Sequence, residues 1–235
     1  MVPKLPKSVR LKSLPDVEVM LNASARARRY GLRVSQVDGR VTLTVPARGT
    51  QAQALAFAEG QAEWLERALA RLRPRTPVAF GSQVMVEGRP YTLVAGSRRS
   101  PELGEGVLCL PADPVRLPAR LQAFLKHLAR QRLQSATEHY AQRLGRPFRK
   151  ITLRDTRSRW GSCSADGSLS YSWRLIMAPP EILHYVAAHE VAHLQEMNHS
   201  PEFWAVVAKL RPTYAPERAW LRREGSHLHV LRFDD

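Results

Sequence analysis

Two histidines four positions apart, with a glutamate directly after the first, are the residues of this chain best spaced for chemistry: His189-Glu190-Val191-Ala192-His193, an HExxH pattern. On a helix, positions i and i+4 share a face, so both imidazoles reach one ion. Glu190 points about 100° further round the helix. It misses such an ion but can touch a water beside it, as a general base must. Val186, Ala187, Val191, Ala192 and Leu194 surround the motif. A helix apolar on most sides is a buried one, where imidazoles and a carboxylate are costly unless paired or metal-bound. The chemistry this predicts is hydrolysis by a zinc-activated water.

Three protein ligands and one open position make a catalytic zinc site, so a third ligand is needed. Asn198-His199-Ser200-Pro201 reads as a helix stop and restart, with Ser200 as N-cap and Pro201 in the first turn. His199 then sits on the turn where it can fold back toward His189 and His193. Glu196 and the downstream Glu202, Glu217 and Glu224 are the alternatives; Glu196 shares the metal face but lies too far along one straight helix. His184 is off that face, His127 and His139 belong to a long helix, and His227 and His229 to a polar tail.

Upstream, Arg157-Ser158-Arg159-Trp160-Gly161-Ser162-Cys163 packs special residue types between two strands. An arginine here would neutralise a carboxylate or bind a substrate oxygen. Equally, Trp160 would plug the core while the arginines bond backbone carbonyls. Arg157, Arg159 and Tyr214 are the candidate oxyanion donors. The strand over 168–174 is the expected edge for aligning a peptide.

The elements that must position these residues are legible from periodicity. Alternation over 17–46 predicts strands, with a hairpin turn at Val37-Asp38-Gly39-Arg40. Residues 50–73 switch to three-and-four spacing, a single helix with Thr50 as N-cap and Arg67, Arg71 and Arg73 at its C-terminal end. Strands follow over 83–87, 89–95 and 107–110, then a long helix over 115–144 ended by Gly145. Strands at 150–155 and 168–176 precede a helix opened by Pro179-Pro180, which carries the HExxH. No internal repeat is visible. The expected class is α+β, with a strand-rich N-terminal subdomain over 1–112 and a metallohydrolase domain over 113–235.

Composition narrows the partners. The 235 residues hold 36 Lys+Arg against 21 Asp+Glu, a net charge of +15. Residues 1–80 carry 14 basic against 6 acidic side chains, densest at Arg26, Arg28, Arg29 and Arg33, with Lys4, Lys7, Arg10 and Lys12 upstream. That leaves weak electrostatic nucleic-acid binding open. No apolar run is long enough to span a membrane. The N-terminus lacks the apolar stretch of a secretory signal. Cys109 and Cys163 form no CxxC, so a disulfide framework is excluded and a reduced, cytoplasmic location expected. Oligomeric state is open.

RSRWGSC, the SLSYSWRLIMAPPEILHYVAAHEVAHL block and NHSPEFW resemble the YgjP-like metallopeptidases, relatives of the SprT-like and WLM zincins. The weaker stretch ARARRYGLRVSQVDGRVTLTVP also suits that family. The resemblance implies a gluzincin-like zincin core, a metal helix beside a small sheet. It also implies one Zn²⁺ held by His189, His193 and His199, Glu190 as the catalytic glutamate, and a peptide or protein substrate. Two other readings remain: a zinc hydrolase of a non-peptide substrate such as a nucleotide phosphoanhydride, and a nucleic-acid-associated protein with a structural metal. The first lacks a Gly-rich phosphate loop; the second has no need of Glu190.

Overall fold

A computed structural model describes residues 5–72 and 74–233; Lys4 and Arg73, two of the basic positions above, lie outside them. The chain divides into two compact units, Met1–Pro74 and Arg75–Asp235.

The first unit is a sheet of β1 (Ser8–Arg10), β2 (Glu18–Ser24), β3 (Gly31–Val34) and β4 (Val41–Pro46), followed by α1 (Gln51–Glu59) and α2 (Ala62–Ala70). Its order is β1-β2-β4-β3, with β2 and β4 parallel and the outer pairs antiparallel. Val19, Val41, Leu43 and Val45 form its core with Ala54, Ala58 and Leu65. The strand periodicity of the sequence is thus realised. The single helix expected over 50–73 is two. Thr50 caps α1 through a capping box with Gln53, and Gly60 closes it. Glycine's high conformational entropy makes that position the natural break.

The second unit opens with β5 (Thr76–Pro77), β6 (Gln83–Val86), β7 (Arg89–Gly96), β8 (Glu102–Leu103) and β9 (Val107–Pro111), then α3 (Leu117–Leu144). The β6-β7-β9-β8 sheet has the same order and strand directions as β1-β2-β4-β3. This is a repeat of topology that the sequence does not display. The boundary expected near residue 112 falls inside this unit. Val84, Val86, Leu93, Leu108 and Leu110 belong to one apolar cluster with Leu117, Leu121 and Leu125 of α3, so the break in packing comes earlier, at Pro74.

The rest of the unit holds the chemistry. It runs β10 (Lys150–Arg154), β11 (Gly161–Cys163), β12 (Ser168–Ser172), a 3-10 turn (Trp173–Met177), α4 (Pro180–Ala192), α5 (Pro201–Leu210), α6 (Tyr214–Glu224), a second 3-10 turn (Gly225–His229) and β13 (Leu231–Arg232), which pairs with β5. The class is mixed α+β with small sheets.

Two expectations are corrected here. The strand expected over 168–176 stops at Ser172, where the buried Trp173-to-Met177 segment coils into the core. β12 is also not an edge: it lies between parallel β10 and antiparallel β11. The edges are β10 and the short β11, which lies within the 157–163 segment.

Candidate metal centre

α4 starts at Pro180, where the missing amide hydrogen costs nothing, and is apolar almost throughout. Ala187, Ala188, Val191 and Ala192 are fully buried, and Glu190 is 4% exposed. The helix ends at Ala192 with His193 as its C-cap, still in the right-handed region, so the i, i+4 alignment with His189 survives. A short turn then carries the chain to α5. Ser200 caps α5, accepting a hydrogen bond from the Phe203 amide, with Pro201 in the first turn. This stop and restart returns His199 over α4.

The candidate ligand atoms of His189, His193 and His199 all lie within 4.8 Å of one another. His189 Nε2 and His199 Nε2 are 3.1 Å apart. Tetrahedral bonds of about 2.05 Å to zinc would place ligand nitrogens about 3.3 Å apart. Two facing imidazole nitrogens repel unless a proton or cation lies between them. Burial first, then the charges of His193 and His199, push His189 down to about 3, so its imidazole is neutral and keeps a nitrogen lone pair for a cation. Burial likewise lowers His193. Neutral nitrogen donors at this spacing fit a zinc ion. His193 Nδ1 donates to the Glu196 carbonyl at 2.9 Å, which leaves its Nε2 for the ligand side.

Glu196 therefore contributes a backbone oxygen. The other glutamates raised as third ligands are engaged elsewhere. Glu217 is buried against Arg211 at 2.6 Å and Thr213 at 2.9 Å. Glu224 pairs with Arg223 and His227. Glu202 lies exposed in the first turn of α5.

Glu190 faces β11. A β-carbon built on Gly161 would stand 2.5 Å from its Cγ and 2.6 Å from its Cδ, so only glycine admits the carboxylate there. Burial pushes the Glu190 carboxyl up to about 8, opposed by the charge of Arg159. This is the range in which a group takes up and releases protons near neutral pH.

The special segment 157–163 divides into separate roles. Arg159 bears on Glu190, whereas the charge of Arg157 bears on His229. Trp160 packs over Gly225 and lies 5.3 Å, ring to ring, from His229. His229, expected in a polar tail, is 3% exposed. Tyr214 stacks on Trp204 at 5.5 Å, and Trp204 stacks in turn on His199 at 6.0 Å, so Tyr214 is one ring removed from the cluster.

Three features escaped the sequence reading. Phe203, fully buried, forms the floor of the site with ring centroids 4.9, 4.4 and 4.8 Å from His189, His193 and His199. Its place three residues after the N-cap of α5 was the available signal. The Arg174 guanidinium, 3% exposed, binds both Asp155 oxygens and the Leu228 and Leu231 carbonyls, tying the C-terminal segment to the site's sheet. The third is β11 as the edge next to Glu190.

The sequence model described as "YgjP-like, metallopeptidase domain" matches residues 28–224. No curated relative matches the chain. Among solved structures, the crystal structure of the metallopeptidase zymogen of Pyrococcus abyssi abylysin is similar at 23% identity and a TM-score of 0.35, over 40% of this chain and 92% of that one.

Proposed function

This chain belongs to the YgjP-like metallopeptidase family, and from that premise we propose that it is a zinc-dependent peptidase with a zincin-like centre. The observation that carries the reading is the convergence of His189, His193 and His199 within 4.8 Å on the open side of a buried helix. These three residues would hold one zinc ion, which when bound supplies Lewis acidity for a scissile carbonyl and an acidified water.

The chain's own residues do the rest. Glu190 accepts a proton from the attacking water and returns it to the leaving amine. Its carboxylate is held in place by burial in α4 and by Gly161 alongside. β11 pairs with β12 on one side only among the described residues, so its other edge offers backbone groups to an extended peptide. Arg159, whose charge bears on Glu190, is the favoured side chain for stabilising the developing oxyanion. Phe203 excludes water from beneath the imidazoles.

A peptide library incubated with zinc-loaded wild type and Glu190→Gln tests this. Wild type should cleave, lose activity to a chelator and regain it with zinc, while Glu190→Gln stays inert. Hydrolysis of nucleoside triphosphates with no peptide cleavage would overturn the peptidase reading.

A further inference from the structure

The topology of the first unit gathers charge at one end of its sheet. β2 and β4 are parallel neighbours, with Ser24 opposite Pro46, whereas β3 pairs with the far side of β4, Gly31 opposite Thr44. The connection from β2 to β3 must therefore pass over the end of β4. That connection carries Arg26, Arg28 and Arg29, and the chain leaving β4 carries Arg48. The two loops touch: a β-carbon on Gly49 would stand 2.6 Å from the Tyr30 hydroxyl, which donates to Gln53 at 3.0 Å. α1 begins beside them, adding the positive end of its dipole.

All four arginines are exposed. No ion pair to any of them is found among the described residues. No Asp or Glu occurs at 19–37 or 39–58. Four other exposed arginines, in contrast, are matched to acids: Arg98 to Glu102, Arg116 to Asp113, Arg132 to Glu87 and Arg149 to Asp166. Four guanidinium groups without an ion pair, carried by two adjoining loops, are relieved of mutual repulsion when an anion lies across them.

We propose that this arginine-bearing end of the β1–β4 sheet binds the phosphodiester backbone of a nucleic acid. Residues 26–29 span at most about 10 Å. A duplex presents one negative charge per about 1.7 Å of axis, twice the density of an acidic polypeptide at about 3.3 Å per residue. Guanidinium groups match phosphate oxygens bidentately. A membrane surface fits less well, because among the described residues the exposed large apolar side chains, Trp64, Met85, Leu103, Val115 and Met197, all lie outside these loops. Tyr30 stacks on Phe57 at 5.6 Å and is not free to stack on a base, so the contact reads backbone and not sequence.

The test is duplex DNA binding by the full-length protein, followed by fluorescence anisotropy against salt. Wild type should show a log–log slope between about −3 and −4, as for four phosphate contacts. Replacing Arg26, Arg28, Arg29 and Arg48 together by Ala should weaken binding at least about tenfold at 0.1 M salt and bring the slope near zero. Arg28→Gln with Arg29→Gln, a milder change, should reduce it by about 2. Replacing Arg98, Arg116, Arg132 and Arg149 by Ala removes the same charge and should leave affinity and slope as in wild type. Equal losses in both quadruple variants, no loss in the first, or tighter wild-type binding to anionic vesicles or polyglutamate than to DNA would overturn the proposal.

Discussion

Gly161 on the edge strand and Glu190 on the metal helix are in van der Waals contact through the space a side chain on residue 161 would fill, its β-carbon falling 2.6 Å from Glu190 Cδ. The carboxylate and the edge strand are therefore positioned by each other. Gly161→Ala should force one of them to shift. Peptide hydrolysis should fall at least about tenfold, about 1.4 kcal/mol in the barrier. The atoms nearest that β-carbon all belong to Glu190 and not to a histidine, so zinc affinity should stay near wild type. Parallel kcat/KM and zinc-competition measurements check both; full activity in the alanine variant would show that neither element depends on the contact.

Glu217 tests the assignment of ligands from the other side. It is 6% exposed and clamped by Arg211 and Thr213, away from the histidines. Glu217→Gln should lower unfolding stability by about 1–3 kcal/mol, since it leaves a half-buried guanidinium without its counter-charge. Zinc affinity should not change. Denaturant melts with and without zinc separate the two effects.

Arg174 holds the C-terminal segment. Burial alone would raise Asp155, yet the Arg174 pair keeps its carboxyl below the usual range. Arg174→Met removes that pair and orphans the Leu228 and Leu231 carbonyls, and should cost about 3 kcal/mol. Limited proteolysis should then cut within 225–233 faster than in wild type. An unchanged digestion pattern would mean that β5 pairing with β13 suffices to hold the segment.

His229 gives a pH dependence. Burial first, then the charges of Arg174, Arg157 and Arg75, push its imidazole down to about 4, against an opposing pull from Asp155. The unfolded chain, with a histidine near 6.5, binds more protons across this window. Stability therefore rises with pH from about 4 to 6.5 and is lost as pH falls through it, by up to about 3 kcal/mol. In zinc-loaded protein, His229→Asn should flatten the stability–pH curve in this window relative to wild type. Curves of equal slope would place the acid sensitivity elsewhere.

Much of the centre was legible because it rests on local rules. The i, i+4 spacing of His189 and His193, Pro180 in the first turn of α4 and Ser200 as the cap of α5 depend on neighbours in sequence. The features missed depend on long-range pairing. That β12 is central, with β10 and β11 as the edges, follows from the parallel pairing with β10, which no local pattern announces. That His229 is buried follows from Arg174 gripping carbonyls 54 and 57 residues further on. The early break at Pro74 follows from the β6–β9 core joining that of α3, and the split of the 50–73 helix from one glycine within an otherwise helical period.

The central claim is that three imidazoles, His199 among them, hold one zinc ion while Glu190 does chemistry and not ligation. Zinc titration of metal-free wild type, Glu190→Gln and His199→Ala measures this directly. The account predicts one tightly bound ion per chain in wild type and Glu190→Gln, and affinity lower by at least about 100-fold in His199→Ala. Undiminished binding in His199→Ala, or loss of zinc in Glu190→Gln, would contradict it.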